Sequence, residues 1–380
     1  MTIHWVGTGL TSVPGLRRLL SGRVPVTVWN RTVDKARGAV GNLAADIREF
    51  GLPALADAVG PGDVVVSLLP ADRHVALARV CLDRRAHFVC PSLISRDMAA
   101  LEQAAVDAGV ALVNEVGLNP GIDQLVAHDL VNDYRHVAQP GDRVRFASYC
   151  GGIPKHPNRF RYKVSCSPLE VLQALRAPAR VIREGAAQVI DPPWQATRSY
   201  DAPLPTPERF EVHPTGDSTA FTDHYGFDPA WHIHEFVHGT IRLKGWREAW
   251  APVLAELAAL HGPEGDARLR QMADRFRTDH AYAPGEPDRV VLCVALHASR
   301  NGAPVFGKEW VLDAQGGPAG TAMAQLVSVP VAMAAEAVLA GHFAPGVHAA
   351  PRDPLLVGLW LVEVGQIASH MAKIDHLRVA

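Results

Sequence analysis

Two glycines near the start of the chain leave few folds open to it. An apolar run from Ile3 to Val6 is followed by Gly7 and Gly9, and apolar residues then recur at helical spacing. Glycines at these positions after a strand allow a sharp turn, and they let a pyrophosphate approach the first amides of the next helix. Ser12 holds the third position of G-x-G-x-x-[GA]. The pattern predicts a strand, a turn and a helix that bind a dinucleotide, although similar turns also occur as plain connections.

The end of the next predicted strand indicates which dinucleotide is bound. Residues 24–32 form a β-branched run that ends in Asn30, Arg31 and Thr32. Enzymes that use NAD place an acid here, about twenty residues after the glycines, whereas a nearby arginine suits the 2'-phosphate of NADP. We therefore predict NADP as the cofactor and keep NAD as a possibility. A plain surface arginine is the alternative interpretation of Arg31.

Strands and helices alternate through the first third of the chain. Buried strands are predicted at 63–70, 87–92 and 109–115, and the residues between them, 72–85 and 96–108, have helical spacing. Alternation at this interval predicts an α/β fold with a doubly wound parallel sheet of the Rossmann type. Such sheets bind ligands at the carboxyl ends of their strands.

The pattern changes at about residue 121, where longer polar loops and strand-like runs begin. We predict that residues 1–120 and about 346–380 form the dinucleotide-binding domain. Residues 121–345 then form an inserted α+β domain for substrate binding and dimer contact, with a small helical part at about 246–282. Further helices are predicted at 319–339 and 353–371.

Composition limits the partners of the protein. The 37 Lys and Arg residues against 39 Asp and Glu give a net charge of -2, which argues against a broad surface for nucleic acid or anionic lipid. The five cysteines are scattered without a C-x-x-C pair, and no apolar run is expected to reach the eighteen or so residues of a membrane span. The N-terminus shows no signal pattern. We predict a cytoplasmic protein with reduced thiols and a small-molecule substrate, without nucleic-acid or membrane partners.

Three histidines, His232, His234 and His238, raise the question of a metal site, since imidazole is a common ligand. Their spacing matches neither a helical H-x-x-x-H pair nor a zinc-finger pattern. We therefore predict no metal.

Several stretches, in order along nearly the whole chain, resemble the saccharopine dehydrogenases of the glutamate-forming type, also called saccharopine reductases. The matching stretches are Gly7-Thr8-Gly9 through Pro14, Ser67-Leu68-Leu69-Pro70 with His74, Asn114 through Asp123, Ser148 through Pro154, Tyr162 through Ser165 with Ser167-Pro168, Asp217-Ser218-Thr219, Gly239-Thr240-Ile241-Arg242 and Ala322-Met323-Ala324 through Pro330. The resemblance implies a Rossmann domain closed by the C-terminal segment, a mixed-sheet domain for substrate and dimer contact, and a small helical part.

The resemblance also implies a reaction and a homodimer. Enzymes of this family oxidise, with NAD(P), a secondary amine that joins two amino-acid skeletons. For saccharopine, the imine that forms adds water and splits into glutamate and 2-aminoadipate semialdehyde, which is a step of lysine metabolism.

Matched to this sequence residue by residue, the resemblance implies two sets of contacts. The implied cofactor contacts are Gly7, Gly9, Leu10, Thr11, Asn30, Arg31, Thr32, Leu69, Pro70, Leu118 and Pro120. The implied substrate contacts are Ser92, Leu93, Asn119, Gly216, Thr240, Ile241 and Arg242.

The sequence departs from the family pattern at four places. Leu93 stands where the family has a tyrosine, Asn119 where it has an aspartate, Gly216 where it has an arginine, and Cys166 where it has a tryptophan. Losing an arginine removes a bidentate clamp for a carboxylate, and losing an acid and a phenol removes two proton-handling groups. These changes predict a pocket adapted to another substrate.

Cys150, Asn119 and Lys163 are the candidate catalytic residues. Cys150 precedes glycines that permit close approach of a ligand, although a buried structural cysteine is the alternative interpretation. Lys163 lies in a matching stretch, but an internal ion pair would explain it equally well. Arg242 is the best remaining clamp for a carboxylate, with surface exposure as the alternative.

Three functions remain open. The first is an NADP-preferring dehydrogenase of saccharopine or of a related opine-like amino acid. The second is a dehydrogenase of the carboxynorspermidine or carboxyspermidine type, which the glycine at position 216 favours and the asparagine at position 119 does not. The third is a non-catalytic regulator that binds NADP.

Overall fold

A computed structural model describes residues 1–43 and 46–378, and these form two compact units. Unit 1 comprises Met1–Leu125 and Pro318–Val364, and unit 2 comprises Val126–Gly317 and the chain from Gly365 onwards.

In its described residues, unit 1 contains a parallel sheet of seven strands in the order β15-β6-β5-β4-β1-β2-β3. The strands are β1 (Ile3–Val6), β2 (Val26–Asn30), β3 (Asp46–Glu49), β4 (Val64–Ser67), β5 (His87–Val89), β6 (Ala111–Val113) and β15 (Gly346–His348). Every residue of β1 and β4 is buried, as expected for a parallel sheet that is covered on both faces. This order is doubly wound, and it confirms the predicted fold class.

Helices connect the strands of unit 1. They are α1 (Val13–Leu20), α2 (Val33–Val40), α3 (Leu52–Ala58), α4 (His74–Arg84), α5 (Arg96–Ala99), α6 (Glu102–Ala108), α13 (Ala322–Leu339) and α14 (Pro354–Ile367), the last of which begins in unit 1. Helix α7 (Ile122–Arg135) leads from unit 1 into unit 2. The predicted helix at 96–108 is two helices in the structure.

Helix α13 is held against α1 by a close backbone approach. The Gly15 N–H donates to Oγ of Ser328 at 2.8 Å, and a Cβ on Gly15 would lie 1.9 Å from the Ser328 carbonyl oxygen. At the start of the next turn of α1, Arg18 pairs with Glu336 at 3.0 Å and with Glu363 at 2.8 Å. These contacts place α13 in unit 1, whereas the sequence predicted that residues up to 345 belong to the inserted domain.

The length and composition of α13 correct one expectation. Among the described residues it is long and apolar enough to cross a membrane, whereas the sequence analysis expected no such run. Of its 18 residues, 67% are buried, which is the environment of a core helix.

The part of unit 2 that the structure describes forms a mixed sheet of nine strands, with the path β10-β11-β12-β7-β13-β14-β16 and with β8 and β9 beside β12. The strands are β7 (Arg143–Pro154), β8 (Ala179–Arg183), β9 (Ala186–Ile190), β10 (Arg198–Ala202), β11 (Glu208–Pro214), β12 (His232–Leu243), β13 (Asp288–Arg300), β14 (Ala303–Gln315) and β16 (His370–Asp375). Its helices are α8 (Pro168–Arg176), α9 (Phe221–His224), α10 (Trp246–Ala249), α11 (Ala251–Ala259) and α12 (Gly262–Asp279).

The C-terminal segment differs from its prediction. The predicted helix at 353–371 ends at Ile367, and β16 then pairs antiparallel with β14. Lys373 of this strand pairs with Asp129 at 2.8 Å and with Asp133 at 2.9 Å, both on α7. The segment predicted to return to the dinucleotide-binding domain at 346–380 is therefore divided between the units, and its residues 379–380 lie outside the described part.

The small helical part was predicted at 246–282 and contains α10, α11 and α12. With α8 they bury an aromatic cluster that includes Tyr162, Trp246 and Trp250. Ser167 begins α8 by accepting a hydrogen bond from the Glu170 N–H at 3.4 Å, and Pro168 takes the first helical position. The Ser-Pro pair of the matching stretch is thus a helix start.

Candidate active site

The residues predicted to contact the cofactor lie in unit 1, and most lie just beyond the carboxyl ends of its parallel strands. The glycine turn follows β1, Asn30 ends β2, and Leu69 follows β4. Because parallel strands end at one edge of the sheet, these segments meet there. The structure therefore brings the predicted cofactor residues together.

The glycine turn has the geometry that a pyrophosphate requires. Gly7 has a φ of +101°, and a Cβ there would lie 3.4 Å from Leu69. A Cβ on Gly9 would meet nothing within 4 Å, so the backbone is open to a ligand at this point. Between them, the buried Oγ1 of Thr8 has no hydrogen-bond partner among the described residues. An unsatisfied buried hydroxyl is costly, and a ligand oxygen would satisfy it.

The end of β2 joins the turn to the predicted ribose position. The Asn30 side chain accepts from the Thr8 N–H at 3.2 Å and donates to the Thr32 carbonyl at 2.8 Å. Arg31 is exposed and makes no ion pair within the part of the chain that the structure describes. The Asn30 side chain is thus engaged in holding the loop, and the Arg31 guanidinium remains available to a phosphate.

The loop after β4 is held by a buried histidine. His74 is 3% exposed, and its Nε2 lies 3.0 Å from the Leu69 carbonyl oxygen. Burial lowers the pKa of His74 to about 4, so the ring is neutral at pH 7 and donates from Nε2. The structure therefore gives His74 the role of fixing the loop rather than of a base.

The lowered pKa of His74 predicts a pH-dependent stability. The unfolded chain binds a proton near pH 6.5 that the folded protein binds only near pH 4, so stability falls as pH falls through this window. We expect His74→Gln, which keeps a donor for Leu69, to reduce the slope of the unfolding free energy against pH by about 1 kcal/mol per pH unit. Urea unfolding between pH 5 and pH 6.5 measures this slope.

The matched control for this variant is His232→Gln, at an exposed position in unit 2. An equal change of slope in both variants would show that burial of His74 is not the cause.

The loops after β5 and β6 carry the remaining predicted residues of unit 1, some for the substrate and some for the cofactor. Leu93 is 54% exposed, so it offers an apolar surface where the family pattern has a phenol. Leu118 is 4% exposed with its side chain buried, so it could contact a cofactor only through its backbone. Asn119 and Pro120 are half-buried in a loop closed by a hydrogen bond from the Gly117 N–H to the Pro120 carbonyl at 3.0 Å.

In unit 2, Cys150 and Thr240 lie side by side. They are register partners in the parallel pair of β7 and β12, and Cys150 is 9% exposed. Arg242 lies two residues after Thr240, on the same face of the sheet, because side chains alternate along a strand. Thr240 also contacts Thr215 through their Oγ1 atoms at 2.8 Å, which connects Gly216 to this group.

Arg242 is buried without an acidic partner among the described residues. It is 6% exposed, and its guanidinium lies 5.0 Å from the centroid of the Trp246 ring and 5.8 Å from that of Tyr162. Burial lowers the pKa of Arg242, yet arginine stays protonated in proteins. A buried guanidinium without a carboxylate is costly, and an anionic ligand would offset that cost.

His213 determines how Arg242 is held. Burial, followed by the charge of Arg242, lowers the pKa of His213 to about 3. The neutral ring donates from Nδ1 to the Pro214 carbonyl at 3.0 Å. Its Nε2 then accepts from Nε of Arg242 at 3.5 Å, which leaves the outer nitrogens of the guanidinium for a ligand.

Three buried polar atoms in this region lack hydrogen-bond partners among the described residues. Two of them, Oη of Tyr162 and Nε1 of Trp246, belong to the rings beside Arg242, and the third is Oη of Tyr282, which interacts with Tyr162. Burial also raises the pKa of Cys166 to about 11, so its thiol is neutral beside Arg242. The arrangement is rich in donors and poor in acceptors, which is the surrounding that a carboxylate requires.

Two predicted site residues have other contacts. The Ile241 side chain is fully buried in the hydrophobic cluster on the opposite face of the sheet, so of residues 240–242 it alone points away from Cys150. The Lys163 ammonium forms an ion pair with Glu286 and lies 5.5 Å from the Tyr282 ring centroid. The ion pair considered in the sequence analysis is therefore present.

Gly216 leaves open the space where the family pattern has an arginine. Its φ is +66°, and a Cβ there would meet nothing within 4 Å. Its carbonyl accepts from the Arg180 N–H at 2.8 Å, and Arg180 pairs with Asp217 at 3.5 Å. With glycine at position 216, Arg242 is the one positively charged side chain among the predicted substrate residues, and it is buried.

Sequence reasoning missed His213 and Trp246, which contact Arg242, and Tyr282, which interacts with Tyr162 beside it. His213 has no readable signal, because it alternates with Phe210 and Val212 and so follows Arg209 and Glu211 on the face that the sequence pattern predicts to be solvent-exposed. Trp246 and Tyr282 carry no signal either, because tryptophan is an ordinary core residue of helical segments and Tyr282 lies in the loop between α12 and β13.

The chain matches two family models in order. One, described as the saccharopine dehydrogenase NADP binding domain, matches residues 3–113, and the other, the saccharopine dehydrogenase C-terminal domain, matches residues 117–364.

Two fungal relatives are similar to much of the chain. The saccharopine dehydrogenase [NADP(+), L-glutamate-forming] of Pyricularia oryzae is 32% identical over 274 residues, which is 69% of this chain and 59% of the relative. The enzyme of the same name from Schizosaccharomyces pombe is 30% identical over 258 residues, 65% of this chain and 56% of the relative. The chain therefore spans less than two thirds of the length of these relatives.

Two solved structures share the fold. Apo saccharopine dehydrogenase (L-Glu forming) from Saccharomyces cerevisiae has a TM-score of 0.81 at 23% identity and covers 98% of this chain and 99% of that chain. The homospermidine synthase of Legionella pneumophila has a TM-score of 0.64 at 9% identity, covering 98% and 91%.

Proposed function

Since the chain belongs to the saccharopine dehydrogenase family, we propose that it is an NADP-dependent oxidoreductase that acts on the C–N bond of a secondary amine. The substrate is an amino acid of the saccharopine or opine type with a carboxylate that Arg242 binds. The observation that carries this proposal is the buried Arg242, which has no acidic partner among the described residues and has donors on several sides.

Unit 1 supplies the residues that hold the cofactor. The turn at Gly7 and Gly9 receives the pyrophosphate, the Thr8 hydroxyl donates to it, and Arg31 binds the 2'-phosphate. NADP, when bound, supplies hydride transfer. The absence of an acid at the end of β2 fits NADP better than NAD.

Unit 2 orients the substrate. Arg242 binds a carboxylate through two parallel hydrogen bonds, which fixes the position of the C–N bond along the sheet face that carries Cys150 and Thr240. The amine carbon loses a hydride and the nitrogen loses a proton. Water then adds to the C=N carbon, and the C–N bond breaks to give a primary amine and an aldehyde.

The proton-handling roles are assigned from the contacts. Cys150 lies beside Thr240 and is the proposed group next to the reacting atoms. Asn119 has no acidic proton, so its amide orients substrate or water by hydrogen bonding. Lys163 is engaged with Glu286, and we assign it to positioning the segment that contains Tyr162.

A carboxylated polyamine is the second candidate substrate, because the open space at Gly216 removes a cation that would repel its ammonium groups. The deciding experiment follows oxidation of NADPH with 2-aminoadipate semialdehyde plus glutamate, and NADP reduction with saccharopine and with carboxynorspermidine. Turnover with the saccharopine pair supports the first function, and preference for carboxynorspermidine supports the second. Tight NADPH binding without turnover of either substrate would support the third function, a non-catalytic regulator that binds NADP.

Arg31 gives a direct test of the cofactor assignment. We expect Arg31→Gln to raise KM for NADPH about tenfold while leaving KM for NADH unchanged, because only NADPH carries the 2'-phosphate. The matched control is Arg23→Gln, at another exposed arginine of unit 1, which should change neither value. An unchanged ratio of the two KM values in Arg31→Gln would remove Arg31 from the cofactor site.

We further propose a cytoplasmic homodimer. No disulfide joins the five cysteines, all of which lie among the described residues, and four of them are buried, which suits a reducing compartment. The dimer rests on the resemblance to the family, and sedimentation of the purified protein tests it.

A further inference from the structure

A cavity with a volume of about 410 Å³ opens on the sheet of unit 2, on the face opposite to Cys150 and Arg242. Strand β7 contributes Arg145, Ala147 and Tyr149 to it, and these alternate with Cys150. Neither the predicted substrate residues nor the predicted cofactor residues line this cavity. Its volume is that of a pocket for a small ligand.

Small side chains produce the depression. Ala147 and Ala295 are register partners at the centre of the sheet, and Gly307 lies on the next strand. These small residues form the floor of the cavity, and the rings of Tyr149 and Tyr200, with centroids 5.3 Å apart, lie beside it. The cavity therefore has an apolar floor and an aromatic wall.

Arginines concentrate at the cavity. Arg143, Arg145 and Arg198 line it, and Glu235 is the acid that pairs with two of them, at 2.7 Å with Arg145 and 3.4 Å with Arg198. Arg183 is the register partner of Glu235 and adds a further positive charge. Because the whole chain carries a net charge of -2, this local excess of arginine departs from its composition.

The arginines are held in place and still have donors to offer. Arg198 donates to Oη of Tyr149 at 2.7 Å, and its side chain is 47% exposed. Arg145 uses Nε and Nη2 on Glu235, and its side chain is 60% exposed. Guanidinium groups positioned in this way are preorganised to bind carboxylate or phosphate oxygens.

The acid at the other end of the cavity has its own partners. Glu309 is 6% exposed, accepts a hydrogen bond from Oη of Tyr200, and lies 3.0 Å from Nε2 of His376. Its carboxylate is therefore engaged by the protein. The four arginines Arg143, Arg145, Arg183 and Arg198 against the two acids Glu235 and Glu309 leave an excess of two positive charges (4 − 2) at the cavity.

We propose that this cavity binds a small dianion with an apolar body, whose charge comes from two carboxylates or from one phosphate monoester. The anionic groups bind Arg145 and Arg198, and the apolar body lies over Ala147 and Ala295 between the tyrosines. This site is separate from the one that holds Arg242, and the inference goes beyond the proposed catalytic function.

Isothermal titration calorimetry of the NADPH-bound protein tests the site, with glutarate and phenyl phosphate as probes and inorganic phosphate as the probe without an apolar body. We expect saturable binding of glutarate or phenyl phosphate that weakens at least tenfold in Arg145→Gln and in Arg198→Gln. Inorganic phosphate should bind more weakly than either. Ala147→Leu, which fills the floor and removes no charge, should also abolish binding.

Two matched variants separate this site from others. Arg275→Gln, at an exposed arginine of α12, should leave binding unchanged, and Arg242→Met should leave it unchanged while reducing turnover. Loss of binding in Arg242→Met with retention in Arg145→Gln would overturn the proposal, because the anion would then occupy the substrate pocket. Absence of binding of either probe to the unmodified protein would overturn it as well. So would dissociation of a dimer in Arg145→Gln without any ligand binding, because a second copy of the chain would then cover this face.

Discussion

Arg242→Met is expected to lower kcat/KM by about 10²- to 10³-fold and to leave the melting temperature unchanged or higher. A buried carboxylate that loses a bidentate partner loses a few kcal/mol, and each 1.36 kcal/mol corresponds to a factor of ten in rate. In the free protein the same change removes a buried charge that has no acidic partner among the described residues, so the fold does not lose an ion pair. Steady-state kinetics and thermal unfolding measure the two effects.

The opposite signs of these effects separate a ligand-binding arginine from a structural one. Arg242→Lys keeps the charge but lacks the planar fork, so an intermediate loss of kcat/KM is expected. NADPH affinity should be retained in both variants, since the cofactor residues belong to unit 1. A large fall in melting temperature with unchanged kcat/KM would mean that the rings of Trp246 and Tyr162 hold Arg242 for stability alone.

Gly15→Ala is expected to destabilise unit 1 and to weaken NADPH binding. The added Cβ would lie 1.9 Å from the Ser328 carbonyl oxygen and 2.4 Å from its carbon, which are backbone atoms of α13 that cannot rotate away. The helices must separate, and the hydrogen bond from Gly15 to Ser328 is lost with them. Overpacking of this kind costs about 1–3 kcal/mol, which lowers the melting temperature of a unit of this size by roughly 2–12 °C.

Helix α2 provides a matched control for this variant. A Cβ on Gly38 would meet nothing within 4 Å, so Gly38→Ala should stabilise the helix by about 0.5–1 kcal/mol. NADPH affinity should fall in Gly15→Ala and not in Gly38→Ala, because α1 follows the glycine turn directly. Equal melting temperatures in Gly15→Ala and the unmodified protein would contradict the close approach of α1 and α13.

The close helix packing that usually accompanies the dinucleotide-binding motif occurs at Gly15 in this protein. The third small residue of the dinucleotide-binding pattern permits close packing of the helix, and here Ser12 occupies that position. Ser12 donates to the Gly9 carbonyl at 3.0 Å and is fully buried, while the close helix contact is made three residues later, at Gly15. A pattern search centred on Ser12 therefore finds the turn and misses the packing contact.

Local sequence predicted the cofactor end of the protein well. The glycine turn, the run that ends in Asn30 and the loop at Leu69 each follow a short apolar strand, and helices separate them. In a parallel sheet these facts suffice, because every strand ends at the same edge and its loop lies there. The predicted alternation and the Rossmann fold class were confirmed for this reason.

The sequence predicted the division of the chain into units, and the orientation of the substrate residues, less accurately. Helix α13 and strand β16 lie far along the chain from the elements they contact, α1 and α7, so no local pattern reveals their unit. Ile241 lies between two residues of the predicted substrate site, yet the alternation of the strand turns its side chain to the opposite face.

By itself the sequence determined the strand, turn and helix at Gly7, the Rossmann fold class and the family, because these depend on residues adjacent in the chain. Tertiary structure alone decided which charges have partners. Lys163 meets Glu286 and Arg145 meets Glu235, whereas Arg242 is buried among Tyr162, Trp246 and His213 with no acid among the described residues. Pairing depends on strand register and on contacts between residues far apart in sequence, and the buried cation left without an acid is the observation on which the proposed carboxylate site rests.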